Sequence, residues 1–508
     1  MSDGYTSSAL LLNYLHLLVP NYVENYITYY THEGKQHGVN LEEIPPWTEF
    51  LVVPDAGTND AESCAVLAER DIPVLIIDHH ISDVDNPHAC IINNQTCSYP
   101  TKSLSGVGIV WKFCCRIDEL LGTDYSSNFT DLASFGCIGD VMDLRDFETR
   151  RLIELGLSNI QNPFLSAMVQ KQAYSLKNEI TPIGVAFYII PFINAVVRMG
   201  SMKDKLLLFE AMLDWKGNEL IPSTKRGCKG ELETRAEQAC RNSSNIKVCQ
   251  QKARDKAMEQ IDALIQEQEL DKHKILTICL PGDLEVPKTL TGLVANLLMG
   301  KYGKPTLLLN KVVHEDNIIT WDGSGRGLSN SNFDNFKEFL DSSGYTLLCA
   351  GHENAFGVSI PDEKIEDFIQ YADIALADYD FSSSYKVDFV YDGNHFKGSD
   401  IVDIAQLKYL YGEGIPEPRI AIEKVKIVDN VILMSPDKNP TMKIQLNNGV
   451  SLIKFKSSAE EVNNLKRNDG MTTFITVIGK CEINEWNGNI TPQLLIDDYE
   501  ITGYEYDF

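Results

Sequence analysis

The stretch Pro73-Val74-Leu75-Ile76-Ile77-Asp78-His79-His80 decides the fold of this chain. It begins with a short continuous apolar run, which is typical of a buried parallel strand, and it ends with three side chains that can bind metal. Open α/β sheets carry their chemistry at the carboxyl ends of such strands. A second apolar run, Phe50-Leu51-Val52-Val53, leads to Asp55, and Asp140 stands in another acidic segment farther along. The pattern predicts a metal site assembled from strand ends.

Length and charge limit the classes of function. At 508 residues the chain is too long for one core, so we expect roughly three or four domains of about 100 to 150 residues each. The formal net charge of −27 argues against general affinity for polyanions, although it leaves room for a local basic groove with divalent ions. No long apolar span or signal peptide is recognisable, so we predict a cytoplasmic protein that does not contact a membrane.

The twelve cysteines predict free thiols in a reducing compartment. No paired C-x-x-C spacing occurs, and Cys228, Cys240 and Cys249 are too irregularly spaced for a set of zinc ligands. We therefore expect neither a disulfide framework nor a structural zinc.

Four segments with different patterns follow one another along the chain. Residues 1–165 alternate strand-like runs with helical patterns, the first helix running from residue 6 to 18, which indicates a parallel sheet with crossover helices. Residues 166–262 end in a charged connecting helix. Residues 263–380 return to β/α alternation, and residues 381–508 show short strands broken by Asn-Gly and Asp-Gly turns. The predicted fold class is α/β: two α/β lobes joined by a long helix and followed by a small antiparallel barrel.

The candidate catalytic and metal-binding residues are acids and histidines at or near predicted strand ends: Asp3, Asp55, His79, His80 and Asp140. Carboxylate oxygens and imidazole nitrogens suit Mn²⁺ or Mg²⁺, and two such ions can activate water and stabilise a phosphoryl transition state. Each acid taken alone is better explained as a helix cap or a turn residue. Adjacent histidines after a buried strand are costly to retain without partners, which favours the cluster. Asp78 is expected to orient a histidine rather than to bind metal.

Two glycine-rich segments of the second lobe, residues 323–327 and 350–357, predict a phosphate-binding surface. Small residues let backbone amides approach an anion, Arg326 can grip a phosphate with two hydrogen bonds, and His352 can donate one. Either segment alone is more simply a turn, and their occurrence together opposite a metal-binding lobe favours phosphate. In the predicted barrel, Trp486 lies in a hairpin, where it either stacks on a base or packs against the strands.

These motifs, in this order, resemble those of the DHH phosphoesterase superfamily, and specifically those of the RecJ-like single-strand exonucleases. The name-giving motif is Asp78-His79-His80, and residues 2–7 are similar to the end of the family's first motif, D-x-D-G-x-T-S. The Gly-Gly-Gly-His motif of the second, DHHA1 lobe reads Cys349-Ala350-Gly351-His352 here. The other segments that are similar to the family lie at residues 53–55, 139–144, 193–200, 323–327, 411–418 and 485–493. The resemblance thus covers nearly the whole chain, including an OB-like barrel.

The resemblance implies stepwise hydrolysis of single-stranded DNA from the 5′ end, with release of mononucleotides, in DNA repair or recombination. It implies two Mn²⁺ or Mg²⁺ ions and a water that attacks the phosphodiester in line; the ion ligands would be Asp3, Asp55, His79, His80 and Asp140. Substrate phosphate would be held by Ser324, Arg326 and His352. Arg198 would contact the strand, or else it packs in the protein, and the barrel would hold the trailing strand.

The expected partner is single-stranded DNA, and a single-strand binding protein is a candidate second partner. We expect a monomer in the cytoplasm of a bacterial cell or a phage-infected host. One departure from the family stands at the beginning. The first acid of D-x-D falls by spacing at Met1, and the strand that precedes it in the family is missing. We expect either a start downstream of the true one, which the exposed edge of a parallel sheet favours, or a weakened metal site.

Two other functions fit part of the pattern. A phosphodiesterase for short oligonucleotides or cyclic dinucleotides has the same two lobes, and the negative net charge suits it, but the connecting helix and the barrel favour the exonuclease. A catalytically impaired scaffold that binds single strands is the alternative without enzymatic activity. Retention of Asp55, His79, His80 and Asp140 argues against the scaffold.

Overall fold

The computed structural model describes residues 2–506, except 33–37, 83, 229, 283, 285, 315–316, 329–332, 334, 382–383, 429, 467–470 and 487–488. Within these residues the strands form sheets of three, five and seven strands and one two-stranded hairpin. The sheets follow one another along the chain, with helices between the strands of the first two. The predicted class, two α/β lobes followed by a β-rich domain, is confirmed.

The first sheet is wholly parallel and has the order β1-β2-β3; its strands are β1 (Leu51–Pro54), β2 (Val74–Asp78) and β3 (Cys90–Asn93). Leu51 lies beside Val74, and Pro54 lies beside Ile77. Since parallel strands end at the same edge, Asp55 and Asp78 come together there.

Most helices that surround this sheet share one hydrophobic core with it. The helices of this lobe are α1 (Ser2–Leu18), α2 (Pro20–Tyr26), α3 (Ala61–Glu69), α4 (Gly106–Leu121), α5 (Thr130–Gly139), α6 (Phe147–Ser158), α7 (Pro163–Lys171), α8 (Pro182–Tyr188), α9 (Ile190–Met199), α10 (Met202–Ala211) and α11 (Asp214–Gly217). Helix α3 is the exception, because its buried residues pack in a smaller core with Ile76 of β2. Helix α1 begins at Ser2 and not at the predicted Thr6, because Ser2 and Asp3 are themselves buried against the lobe. Phe164 and Phe209 are buried in the same core. The helices after residue 165 therefore pack with the first sheet, and the four-part division of the chain stays a prediction.

One helical stretch, Pro182–Met199, is long and apolar enough to cross a membrane by length and composition alone. It is broken at Ile189, where α8 ends and α9 begins. Val185, Ile193 and Val196 are buried in the first core. Core packing therefore accounts for its apolar character.

A hairpin and one long helix lead from the first lobe to the second; these elements are β4 (Leu220–Pro222), β5 (Leu232–Thr234) and α12 (Arg235–Glu267). Thr234 and Glu237 form a capping box that fixes the start of the helix. Its 33 residues span about 50 Å at 1.5 Å per residue. Ala239 near its beginning packs in the first core, and Ile261 near its end packs in a core of the second lobe. The predicted connecting helix is present and belongs to both lobes.

The second lobe is built on a mixed sheet with the order β6-β7-β8-β10-β9, in which only β6 and β7 are parallel. Its elements are β6 (Leu276–Leu280), α13 (Thr291–Tyr302), β7 (Thr306–Val313), β8 (Ile319–Arg326), α14 (Phe336–Ser343), β9 (Leu348–His352), β10 (Ala355–Pro361) and α15 (Ile365–Ala375). Ala355 on β10 lies between Arg326 on β8 and His352 on β9 in the register. Residues in one such row point to one face of a sheet, so the arginine and the histidine share a face.

The C-terminal domain has a mostly antiparallel sheet with the order β11-β12-β16-β17-β15-β14-β13. Its elements are β11 (Phe389–Asp392), α16 (Gly398–Ala405), β12 (Arg419–Ile427), β13 (Val431–Met434), β14 (Thr441–Gln445), β15 (Ser451–Phe455), α17 (Ala459–Lys466), β16 (Met471–Trp486) and β17 (Asn489–Tyr506). Two pairings, β11 with β12 and β15 with β17, are parallel. The domain has its own core, with Ile420, Leu452 and Val477 fully buried.

A buried polar network fixes the beginning of α5, the helix that leads to Asp140. The carboxylate of Asp131 accepts hydrogen bonds from the backbone N–H groups of Gln161 at 2.8 Å and Asn162 at 2.7 Å. The side-chain amide of Asn162 donates to Oδ1 of Asp214 at 3.0 Å. Burial, and next the charge of Asp131, raises the pKa of Asp214 to about 6. Ionised Asp214 therefore lowers the stability of the folded state at neutral pH.

We expect Asp214→Asn to raise the free energy of unfolding at pH 7 by about 2 kcal/mol. The folded pKa lies above the unfolded value of about 3.9, so the cost of ionisation is absent below about pH 4 and complete above about pH 6. Urea unfolding of both proteins at several pH values from 4 to 7 measures the difference. The exposed Asp124→Asn is the control, and a stability difference for Asp214→Asn that does not change with pH contradicts the prediction.

Candidate metal centre and phosphate cleft

The imidazole of His79 stands at the centre of a group of acids from separate elements. Its Nε2 lies 3.3 Å from Oδ1 of Asp55, 3.2 Å from Oδ2 of Asp140 and 4.0 Å from Oδ2 of Asp3. Two sets of potential ligand atoms share this histidine, one with Asp55 and His80 and the other with Asp3 and Asp140, and the atoms of each set lie within 4.8 Å of one another. The structure thus brings together all five residues that the sequence suggests as metal ligands.

The carboxylate of Asp78, at the end of β2, holds the two histidines. Its Oδ1 accepts hydrogen bonds from the backbone N–H of His79 at 2.8 Å and from Nδ1 of His80 at 2.7 Å, and its Oδ2 accepts one from the Thr58 hydroxyl at 2.7 Å. Burial alone would raise the pKa of Asp78, but the hydrogen bonds from His80 and Thr58 hold it below its usual range. The same bond raises the pKa of His80 to about 9. This position suits a residue that orients a ligand.

Asp3 reaches the cluster from the first turn of α1. Its Oδ1 accepts hydrogen bonds from the Ser105 hydroxyl at 3.1 Å and from the backbone N–H of Val107 at 3.2 Å. These donors lie at the start of α4, where the helix dipole also favours a negative charge. Burial, and then the charges of Asp55 and Asp140, still raises the pKa of Asp3 well above its usual value. The ionised form of Asp3 is therefore energetically unfavourable in this buried position, despite its two hydrogen bonds.

One residue of the cluster, Asp55, and the residue after Asp140, Val141, have backbone angles in the left-handed region. The φ angle is 64° at Asp55 and 60° at Val141. Such a conformation costs a β-branched residue on the order of 1 to 3 kcal/mol, and it occurs most often at functional sites. Asp55 directly follows β1, and burial raises its pKa to about 6. The strained turn directs its carboxylate toward His79.

Several buried polar atoms of the cluster make no hydrogen bond within the described residues: Oδ2 of Asp3, Oδ1 of Asp55 and Nε2 of His79. Buried polar atoms of folded proteins are almost always paired, so such a group calls for a partner. These oxygens and this nitrogen face one another at ligand distances. A divalent ion of the Mn²⁺ or Mg²⁺ type fits this set of donors, because such ions prefer carboxylate oxygen and Mn²⁺ also accepts imidazole.

The second lobe carries a cleft of about 900 Å³, lined among others by Arg326, Lys337, His352 and Asn354. Nη1 of Arg326 donates a hydrogen bond to the backbone carbonyl of Gly325 at 2.6 Å. Three acids, Glu338, Asp341 and Glu353, also line this cleft. Cationic and amide side chains are suited to a phosphate group, so phosphate binding is favoured only in the part around Arg326 and His352. The structure therefore places Arg326 and His352 together, as the register of the strands requires.

Arg198, at the end of α9, extends the positive charge of this region. Burial, and next the charge of Arg198, lowers the pKa of Arg326. Burial also lowers the pKa of Arg198 itself. The pKa of Lys247 on α12 is lowered by burial and then by the charges of Arg254 and Arg198. Half-buried cations that repel one another are stabilised by an anion between them.

Three other predicted positions, Ser324, Trp486 and Met1, are not found at the cleft or the cluster within the described residues. The hydroxyl of Ser324 lies 3.0 Å from that of Thr291, and Ser324 is buried and is not among the residues that line the cleft. Its contact with substrate phosphate stays a prediction. The side chain of Trp486 lies outside the described residues, and so does Met1, where the first acid of the family motif would fall.

Some residues of the metal centre were not predicted from the sequence. Asn93, at the end of β3, donates hydrogen bonds to the Thr58 hydroxyl at 3.1 Å and to the His80 carbonyl at 2.9 Å. A polar residue at a strand end is a signal that could have found it. Ser105 reads as a helix N-cap, but its hydroxyl binds Asp3. Thr58 carries no signal of its own.

Comparison with known proteins agrees with this geometry. The model of the DHH family, N-terminal domain, matches residues 2–137, and that of the RecJ OB domain matches residues 387–498. The "Putative SPbeta prophage-derived single-strand DNA-specific exonuclease YorK" of Bacillus subtilis (strain 168) is 34% identical over 502 residues, which cover 98% of this chain and 86% of the relative. The single-stranded-DNA-specific exonuclease RecJ of the same organism is 25% identical over 521 residues, covering 99% of this chain and 61% of that protein.

Solved structures show the same fold. The crystal structure of RecJ in complex with Mn²⁺ from Thermus thermophilus superposes with a TM-score of 0.72 at 18% identity, covering 98% of this chain and 67% of the other. The corresponding structure in complex with Mg²⁺ gives a TM-score of 0.61, covering 89% of this chain and 67% of the other. From the motifs, the order of the domains and the 34% identity over nearly its full length, the chain belongs to the RecJ-like family of single-strand DNA-specific exonucleases within the DHH superfamily.

Proposed function

We propose that this chain hydrolyses single-stranded DNA from the 5′ end and releases mononucleotides, with two Mn²⁺ or Mg²⁺ ions, in DNA repair or recombination in the cytoplasm of a bacterial cell or a phage-infected host. The observation that carries the proposal is the pair of ligand sets that share His79, with buried atoms that make no hydrogen bond. Two ions in such a site are suited to phosphodiester hydrolysis.

In this proposal the five clustered side chains hold the ions: Asp3, Asp55, His79, His80 and Asp140. One imidazole nitrogen binds one ion, so the carboxylates, which have two oxygens each, would complete the second set. When bound, the ions neutralise the negative charge that develops on the phosphate in the transition state. Asp78 occupies Nδ1 of His80 and leaves Nε2 for an ion. The strained turn at Asp55 and the start of α4 keep their acids in position before substrate arrives.

The second lobe would supply the grip on the substrate. Arg326 and His352 line the cleft, and Arg198 adds a second guanidinium nearby. A terminal phosphate of a DNA strand is the kind of anion that this group of cations recognises. Lys247 on the connecting helix adds a further cation to the same region.

With 5′-labelled DNA we expect release of labelled mononucleotide from single strands and not from duplex, in the presence of Mn²⁺ and not of chelator. His79→Ala should lower kcat by at least about 100-fold, because it removes an ion ligand from the centre of the cluster. Time courses resolved on a gel measure both. The exposed His395→Ala is the control, and it should leave the rate unchanged.

Either of two results would contradict this proposal and favour another function. Faster turnover of a dinucleotide than of a long strand would indicate a phosphodiesterase for short oligonucleotides. Metal-independent binding of single strands without hydrolysis would indicate a scaffold.

Gly106, the first residue of α4, allows the helix to approach Asp55. A Cβ at this position would overlap Oδ1 of Asp55 and would lie 2.8 Å from its Cα, which is a backbone atom and cannot move aside. Gly300 inside α13 offers a contrast, because nothing lies within 4 Å of a Cβ there. The two glycines therefore separate the effect of a methyl group on the metal centre from its effect on a helix.

We expect Gly106→Ala to displace Asp55 and to raise the Mn²⁺ concentration for half-maximal activity by about tenfold or more. Gly300→Ala should leave this concentration unchanged and should stabilise the helix slightly. Mn²⁺ titrations of nuclease activity, with thermal unfolding of both variants, provide the measurement. A folded Gly106→Ala protein with the Mn²⁺ dependence of the wild type would show that the contact does not position Asp55.

For the cleft, we expect Arg326→Ala to raise the KM for single-stranded DNA by roughly 10- to 100-fold, the effect of losing a charge-assisted hydrogen bond. Its stability should not fall, because the change relieves repulsion with Arg198. Steady-state kinetics and thermal unfolding test both statements, with the exposed Arg116→Ala as control. An unchanged KM would place the substrate phosphate elsewhere.

A further inference from the structure

The segment that carries Asp140 is a short loop between two helices, residues 140–146, here called the Asp140 loop. The backbone N–H of Asp140 donates to the carbonyl of Gly136 at 2.9 Å and closes α5. Val141 follows with a φ of 60°, and its side chain is 61% exposed. A strained, exposed backbone next to a ligand needs support from other parts of the fold to stay in one conformation.

That support comes from the C-terminal half of the chain. Residues 411–415, here called the docking turn, form a tight turn in which the N–H of Gly412 donates to the carbonyl of Ile415 at 2.9 Å. The carbonyl of Glu413 accepts a hydrogen bond from the backbone N–H of Leu144 at 2.9 Å. Ile415 packs against the hydrophobic core of the first lobe. A piece of the C-terminal half is thus built into the metal-binding lobe.

Two glycines make this contact possible. Gly414 has a φ of 73°, and a Cβ there would overlap Oδ1 of Asp143 and approach Nε of Arg145 to 3.1 Å. A Cβ at Gly412 would overlap the side chain of Leu144. The two glycines of the docking turn therefore lie against the side chains of Asp143 and Leu144, beside the backbone hydrogen bond between Glu413 and Leu144.

The contacted residues also order the loop itself. Oδ1 of Asp143 accepts the backbone N–H of Arg145 at 2.8 Å, and Oδ2 accepts Nε of Arg145 at 2.9 Å. The carboxylate that lies against Gly414 is therefore the one that folds the loop back on itself. An ion pair between Lys177 and Glu482, 2.7 Å long, joins the same two parts of the chain a second time.

We propose that the docking turn is a positioning element for the metal ligand Asp140, with Gly414 as the positioning residue. The docking turn acts through Asp143 and Leu144 and touches neither metal nor DNA in this role. It makes the affinity of the metal centre depend on the seating of the C-terminal domain. This inference rests on the proposed function, since it concerns the same metal centre.

The test compares Gly414→Ala with Gly449→Ala in the full-length chain. Gly449 has a φ of 84°, and nothing lies within 4 Å of a Cβ there, so it carries the same backbone penalty without the contact. Mn²⁺ binding without DNA is followed by electron paramagnetic resonance of the free ion. We expect about tenfold weaker binding for Gly414→Ala, the usual effect of disturbing a group that orients a ligand, and wild-type binding for Gly449→Ala.

Kinetics provide a second readout. With Gly414→Ala, the KM for single-stranded DNA should match that of the control, and kcat should recover at saturating Mn²⁺. Equal Mn²⁺ affinity in the two glycine variants, or a loss of kcat that Mn²⁺ does not restore, overturns the inference. Should Gly414→Ala fail to fold, Asp143→Ala, which keeps the docking turn intact, takes its place and must show the same weaker binding.

The outcome is separable from that of the proposed function. A wild-type chain that binds Mn²⁺ but does not cleave DNA defeats the proposed activity, while the binding comparison still decides the role of Gly414.

Discussion

The structure depends on holding several acids together in the first lobe against the cost of removing their charges from water. Asp3, Asp55 and Asp140 all lie within 4.0 Å of one imidazole nitrogen. Asp3 and Asp55 are buried, so little water screens their charges, whereas Asp140 is partly exposed. Burial is the main reason that the pKa values of Asp3 and Asp55 are raised, and the charges of Asp55 and Asp140 add to it at Asp3. The surrounding elements oppose this cost: the amides at the start of α4, the hydrogen bonds of Asp78 and the glycines that permit close approach. A divalent cation bound between these acids would offset the same cost.

How much of this the sequence predicts depends on whether a signal is local. The apolar run before Asp78 and the acid after β1 indicate their own strands, so the sheet edge with Asp55 and the two histidines can be predicted. The prediction of strand ends is wrong for the other two acids, because Asp3 lies in α1 and Asp140 follows α5. Contacts between distant residues leave no such trace. Ser105 with Asp3, and Leu144 with Glu413, are joined only by the folded chain. For the same reason, helices after residue 165 resemble a connector in sequence but pack in the first core.

Net charge is a weak guide to what this chain binds. The value of −27 argues against affinity for nucleic acid, yet the family acts on DNA. The difference arises because net charge sums over the surface, whereas recognition depends on the local field. After burial, the charge of Arg198 lowers the pKa values of both Arg326 and Lys247, so these three cations lie near one another. A concentrated group of cations on an acidic protein directs a polyanion to one place and keeps it off the rest of the surface.

The long helix α12 has a consequence for how such a chain can change over time. Both ends of the helix are packed into cores, the first at Ala239 and the second at Ile261, so it behaves as a rod and not as a tether. Removing one residue from a helix shortens it by about 1.5 Å and turns everything beyond it by about 100°. A single-residue insertion or deletion between these anchors would therefore change the orientation of the second lobe, with Arg326 and His352, relative to the first lobe, with the cluster around His79. The length of this helix is under stricter constraint than the identity of its exposed residues.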